Sequence, residues 1–169
     1  MGTFQTELDT ITVSLDQNLD TEISSLLEEK GLKVVVMETI TGGSIAQRFS
    51  LLSNSSQVFS GGIVCSHPLH FVHFCSVSPA ALRHVPDNRL SEDMVHQLSK
   101  RNIADVYISS TGIMGAEKQP DFFTSKLWFS LKLNDKLVTK HFVISGSKKT
   151  ISNKAAQAVF VLLQTLLDS

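Results

Sequence analysis

The segment VVVMETITGG, which spans positions 34–43, places hydroxyl and carboxyl side chains directly after an apolar run. Three consecutive valines are typical of a buried strand, and the double glycine is typical of a turn that leads into a helix. Such a turn can present backbone N–H groups to an anion or expose a nucleophilic side chain. The segment therefore indicates either anion binding or nucleophilic chemistry at its end.

A run of histidines follows further along the chain. His67, His70 and His73 recur at every third position, and a histidine can act as a general base near neutral pH. The same spacing could place imidazoles around a metal ion. Pro68 predicts that a helix starts after His67, which leaves only two of the three histidines on that helix. We therefore expect surface or partly packed histidines, and neither a metal site nor a cofactor.

The overall composition excludes several classes of protein. With 169 residues, of which 42% are hydrophobic and 18% charged, the chain is expected to form one domain around a single core. A net charge of −1 argues against nucleic acid or an anionic membrane as a partner. Two cysteines fit reduced thiols in a cytoplasmic protein, and no apolar run approaches the ~20 residues that span a bilayer. The N-terminal residues lack the basic start of a signal peptide.

The apolar periodicity predicts alternating helices and strands. Helices are predicted at residues 18–31, 44–54, 78–85, 91–102 and 150–167, and strands at residues 32–39, 56–67 and 104–115. An antiparallel hairpin is predicted from residues 125–134 and 136–145, joined at Asn134-Asp135. Ser91 is the expected N-cap of the fourth helix, and Gly61-Gly62 indicate a bulge or a close backbone approach.

This order predicts an α/β fold, a three-layer α/β/α sandwich whose mixed sheet is mostly parallel. Residues 1–17 are interpreted as an N-terminal extension and residues 18–169 as the domain. Ligands of such sheets gather at the carboxyl ends of the strands. The loops expected at those ends are residues 38–43, 65–70 and 111–115, so the functional site is predicted there.

Several fragments along the chain form a recognisable series. They are ETITGG, GGIVCSHPLHF, NRLSEDM, ADVYISSTGIMGAEK, TSKLWF and GSKKTIS. In this order the fragments resemble the C-terminal domain of the competence/damage-inducible protein CinA, over about residues 18–168. Standalone members of that family are nicotinamide-mononucleotide deamidases. The resemblance implies the same fold and a site for a pyridine nucleotide.

The resemblance also assigns roles to positions. The family reads ESCTGG, TYSNxxK and GDRxxVR, in which the Ser is the nucleophile, the Tyr and Lys assist it, and an Arg meets the phosphate. The matching positions here are Thr39, Ser66, Phe71 and Lys148, with Ser152 at the second Arg. Thr39 keeps a hydroxyl, but Phe71 cannot accept a proton. The implied ligand-binding residues are Glu38, Thr41, Gly42, Gly43, Ser66, Thr111, Gly112 and Lys148.

Three hypotheses follow for the function. The first is a catalytically degenerate relative that retains nucleotide binding. The second is an active amidohydrolase of pyridine nucleotides with Thr39 as nucleophile and His67 or His70 as base. The third is a non-enzymatic module that forms a homo-oligomer. For Glu38, the alternatives are binding a ribose hydroxyl, orienting Thr39 and capping the helix that follows.

Overall fold

The computed structural model describes residues 17–67, 69–80, 82, 87–115 and 119–168. The helices are α1 (Gln17–Glu29), α2 (Ser44–Ser50), α3 (Ser55–Val58), α4 (Leu69–Cys75), α5 (Asn88–Ser99) and α6 (Lys148–Leu167). The strands are β1 (Val34–Glu38), β2 (Phe59–Val64), β3 (Val106–Met114), β4 (Phe123–Leu133) and β5 (Lys136–Gly146). The expected extension, residues 1–17, lies outside the described residues except for Gln17, so that assignment stays a prediction.

The five strands form one mixed sheet in the order β2-β1-β3-β4-β5. β1 pairs in parallel with β2 and β3, whereas β4 pairs antiparallel with β3 and β5. Four of the five strands therefore point the same way. The carboxyl ends of β1, β2 and β3 meet at one edge, which is where the sequence predicts the site.

Helices cover both faces of the sheet. On one face, α1, α2, α3 and α6 pack a large core that includes Phe49, Phe129 and Phe160. On the other face, α4 and α5 pack a smaller core around Met37, Met94 and other apolar residues. All five residues of β1 are buried, as a strand between two helical layers requires. The predicted three-layer α/β/α fold with a mostly parallel, mixed sheet is confirmed.

The glycine pair of β2 has both of the predicted features. The pairing of β1 with β2 shifts register between Val34 and Val35, so Ser60 forms a bulge before Gly61. A Cβ atom on Gly62 would lie 2.8 Å from the Cβ of Ala46, so only glycine lets α2 pack this closely on the strand. This contact fixes the position of the helix that follows the TITGG turn.

Three local predictions were wrong. Ser91 is not an N-cap but a buried residue inside α5, and Asp87 is the cap, accepting a hydrogen bond from the Leu90 N–H. The loop expected at residues 111–115 is wrong for residues 111–114, which belong to β3 as the strand prediction for residues 104–115 had it, because β4 continues the pairing to Met114. The strand predicted to start at residue 56 begins at Phe59, after the short helix α3.

One further helix was predicted at residues 78–85. Pro79 and Ala80 form a turn there, and residues 81 and 83–86 lie outside the described part of the chain. Within the described ranges, no helix is both long and apolar enough to cross a membrane.

Candidate functional site

Glu38 lies at the centre of the turn between β1 and α2. Its side chain is fully buried, with 0% of its surface exposed. Oε2 accepts hydrogen bonds from the Thr41 hydroxyl at 2.6 Å and from the Ile45 N–H at 3.2 Å, and Oε1 accepts from the Ala46 N–H at 2.7 Å. The carboxyl group therefore caps α2, which is the capping alternative that the sequence left open. It also fills the amino end of α2, where an anion would otherwise bind.

Thr41 connects this cap to the neighbouring strand. Its hydroxyl hydrogen is donated to Glu38, so the Ser110 hydroxyl, 3.2 Å away, is the donor in the second contact. Thr41 and Ser110 are both buried. This chain of three side chains joins β1, the turn and β3. Thr41 thus holds the turn in shape, whatever ligand the turn meets.

Thr39, at the nucleophile's position, has no hydrogen-bonded base among the described residues. Its N–H donates to the Ser110 carbonyl at 3.0 Å, which fixes the backbone. Its hydroxyl oxygen is buried and makes no hydrogen bond to any described residue. A hydroxyl becomes a nucleophile only when a neighbouring group takes its proton. Among the described residues, no side chain is placed to do so.

The two histidines considered as bases make no hydrogen bond to the Thr39 hydroxyl. His67 and His70 are exposed at the start of α4, with ring centroids 5.7 Å apart. Neither bonds to the Thr39 hydroxyl, and Ser66 beside them is also exposed. In the described ranges, no group of three or more His, Cys, Asp or Glu side chains is arranged to hold a metal ion.

The two cysteines are not activated as nucleophiles. Cys65 follows β2, and its N–H donates to the Glu38 carbonyl at 2.9 Å. Burial raises the pKa of the Cys65 thiol and raises that of Cys75 to about 11. Both thiols are therefore protonated at neutral pH, and a protonated thiol is a weak nucleophile.

Three other predicted ligand residues are not among those that line the pocket beside the TITGG turn. Thr111 and Gly112 pair with Trp128 and Leu127 inside the sheet. Lys148 places its ammonium group 5.3 Å from the centre of the Phe123 ring, a cation–π contact.

A pocket of about 420 Å³ lies between the TITGG turn and the start of α6; we call it the TGG pocket. Its lining residues are Thr41, Gly42, Gly43, Ser44, Gln47, Lys149, Ser152 and Asn153. Three predicted ligand residues are thus brought together with α6. The Ser44 hydroxyl donates to the Ser152 carbonyl at 3.0 Å and ties the turn to that helix.

Sequence reasoning selected Lys148 as the cation and missed its neighbour Lys149. The missed signal is helical spacing: Lys149, Ser152 and Asn153 are at i, i+3 and i+4, so they share one face of α6. Ser152 was identified as the place of a lost arginine. The structure shows that this position does line the pocket, with Lys149 one turn before it.

Comparison with known proteins shows the family to which the chain belongs. The family model described as CinA C-terminal domain matches residues 16–167, nearly the whole chain. The chain belongs to the CinA C-terminal domain family. This confirms the resemblance that the sequence fragments indicated.

Individual CinA relatives are distant in sequence but similar in fold. The chain is 25% identical over 155 residues to a competence-damage inducible protein of Bacillus velezensis, covering 90% of this chain and 37% of that one. For the counterpart from Caldicellulosiruptor saccharolyticus the identity is 27% over 160 residues, with 90% and 38% covered. The chain thus spans little more than a third of these curated relatives.

Solved structures of the CinA superfamily share the fold. The Klebsiella pneumoniae protein matches with a TM-score of 0.80 at 17% identity, covering 89% of this chain and 96% of that chain. The Escherichia coli protein matches with a TM-score of 0.76 at 23% identity, covering 96% and 98%.

Proposed function

We propose that this CinA-type domain binds a phosphorylated nucleotide in the TGG pocket and does not hydrolyse an amide through Thr39. The observation that carries the proposal is the state of the Thr39 hydroxyl, which is buried without a hydrogen-bond partner among the described residues. Meanwhile the adjacent pocket keeps a cation, Lys149, beside the glycine turn. The chain would thus retain the recognition half of the activity that the family resemblance implies.

The start of α6 supports binding of an anion. Lys148 and Lys149 both lie in its first turn, where the helix dipole is positive and a cation is unfavourable. Lys148 is compensated by the Phe123 ring. Lys149 faces the TGG pocket, so a phosphate there would compensate its charge and interact favourably with the dipole.

The absence of catalysis is tested by ammonia release from nicotinamide mononucleotide. We expect no release above the rate without protein, both for the natural chain and for Thr39→Ser, because the serine hydroxyl would also lack a base.

Thr39→Val should raise the free energy of unfolding by about 1 kcal/mol, because it removes a buried, unsatisfied hydroxyl. Urea unfolding measures this change. Ammonia release by the natural chain that Thr39→Val abolishes would restore the active-hydrolase hypothesis.

Binding is tested with two adjacent lysines. We expect ribose 5-phosphate to bind, and Lys149→Ala to weaken it about tenfold, which is about 1.4 kcal/mol. Lys148→Ala is the matched control, since it removes the same charge from the same helix turn but outside the pocket. Isothermal titration calorimetry gives both dissociation constants. Equal losses in the two variants would mean a general charge effect, and no binding at all would reject the pocket.

Formation of a homo-oligomer stays a prediction. The choice of a pyridine nucleotide over other phosphorylated ligands also stays a prediction.

A further inference from the structure

β5 is a long strand at the edge of the sheet. It pairs with β4 along all 11 of its residues, and no other described strand lies on its far side. In an antiparallel pair, every second residue directs its backbone N–H and C=O groups away from the neighbour. Such an edge can pair with another strand, and natural proteins commonly protect it by a short length or a proline. β5 has neither form of protection.

Two apolar side chains on this edge strand are exposed. Leu137 and Val143 have 37% and 50% of their surface exposed. They are six residues apart, so they lie on one face of β5, opposite to the buried Phe142 and Ile144. A strand added beside β5 would place its own side chains next to these two residues. The edge therefore offers both backbone groups and apolar surface to an added strand.

The charge around β5 favours one kind of added strand. Residues 123–154, which include β4, β5 and the start of α6, contain seven lysines and a single acidic residue, Asp135. Lys140 is exposed on β5, and Lys126 is exposed on β4 opposite Val143. Because like charges that face each other across strands are destabilising, two β5 edges would repel one another. An acidic strand has the complementary charge.

A stretch of this kind precedes α1. Residues 10–15, TITVSL, alternate hydroxyl and apolar side chains, which is the pattern of a half-buried strand. Glu7, Asp9 and Asp16 flank this stretch. No lysine or arginine occurs before Lys30. The stretch lies outside the described part of the chain, and its sequence has both the strand pattern and the negative charge that complement the β5 edge.

The stretch is too close to α1 to reach β5 of its own domain. Only Asp16 separates it from α1, and one extended residue spans about 3.5 Å. The start of α1 lies at α2, since Asp20 forms an ion pair with Arg48. α2 packs on β1 and β2, whereas α6 packs on β4 and β5. The three strand spacings from β1 to β5 amount to about 14 Å. The β5 that accepts the stretch therefore belongs to a second copy.

We infer that two copies of the chain exchange residues 10–15, each adding them as a sixth strand beside β5 of the other. Because the exchange is reciprocal, it closes as a dimer with two-fold symmetry. Ile11, Val13 and Leu15 share one face of the added strand, beside the two exposed apolar residues of β5. The flanking carboxylates meet the lysines around β5. No residue of β5 lines the TGG pocket, so the inference is independent of the proposed function.

The mass of the chain in solution tests the exchange. We expect a dimer by size-exclusion chromatography with light scattering. Lys140→Glu combined with Val143→Asp should raise the dissociation constant of the dimer at least tenfold, because new carboxylates on β5 repel the acidic stretch. The matched control is Lys100→Glu combined with Val161→Asp, which makes the same changes at exposed positions at the end of α5 and on α6. The control should leave the dissociation constant unchanged, and circular dichroism confirms that each variant is folded.

A second variant removes the strand that is donated. Thr12→Pro combined with Val13→Pro should also give a monomer. The N–H groups of consecutive strand residues point to opposite sides, so one of the two prolines always removes a hydrogen bond to β5. This variant keeps the accepting edge, whereas the variant with carboxylates on β5 keeps the donated strand. A mixture of the two monomers should therefore form a heterodimer, weaker than the natural dimer because it contains one exchanged strand instead of two.

Three outcomes would overturn the exchange. The first is a natural chain that is monomeric. The second is a dimer that persists in the double-proline variant, which would mean that another surface joins the copies. The third is a mixture of the two variants in which no heterodimer forms.

Discussion

Glu38→Ala is expected to lower the free energy of unfolding by about 3 kcal/mol or more. The substitution leaves three donors in the buried turn without their acceptor, namely the Thr41 hydroxyl and the Ile45 and Ala46 N–H groups. Glu38→Gln should lose less, about 1–3 kcal/mol, because one oxygen still accepts while the new amide nitrogen faces donors. Urea unfolding measures both variants.

Glu29→Ala is the control for this measurement. Glu29 is an exposed glutamate at the end of α1, so its removal should change stability by no more than about 0.5 kcal/mol. If Glu38 instead acted mainly on a ligand's ribose, Glu38→Ala would weaken ligand binding and leave the unfolding free energy near that of the control. That result would contradict the capping role.

Gly112→Ala is expected to destabilise the protein by about 3 kcal/mol. A Cβ atom there would overlap the Lys126 carbonyl oxygen and lie 2.8 Å from Leu127 Cδ2, both on the paired strand β4. A backbone carbonyl cannot move aside as a flexible side chain can, so the β3–β4 pairing must shift. Thermal and urea unfolding both report this loss.

Lys126→Ala is the matched control for Gly112, since Lys126 is exposed on the adjoining strand and pairs with Ile113. We expect a change of about 0.5 kcal/mol or less for this control. A Gly112→Ala variant as stable as the natural chain, but with weaker ligand binding, would assign Gly112 to a ligand rather than to the sheet.

The sequence predicted the fold well because its evidence is local. Short runs of neighbouring residues were enough to predict local backbone structure. Examples are the three valines of β1, the glycine pair of β2 and the Asn134-Asp135 turn between β4 and β5. The boundary errors arose where tertiary contacts override such signals. The loop expected at residues 111–115 is instead mostly the end of β3, because β4 pairs with β3 through Thr111 and Gly112 as far as Met114.

The candidate site was only partly predictable. Sequence spacing identified Glu38 and the TITGG turn, and the family resemblance placed Thr39 at the nucleophile's position. The sequence analysis chose Lys148 instead of Lys149. The order of residues does not show which side of α6 faces a pocket when the other wall, the TITGG turn, is about a hundred residues earlier in the chain.

By itself, the sequence determined the order of elements, the edge of the sheet where the candidate site lies and the substitution of the family's helper side chains. Only the tertiary structure decided that the Glu38 carboxylate caps α2 and that the Thr39 hydroxyl is buried without a hydrogen-bond partner among the described residues. It also decided that Lys149 lines the TGG pocket. The physical reason is that backbone preferences act over a few residues, whereas burial and hydrogen-bond pairing depend on groups that only the completed fold brings together.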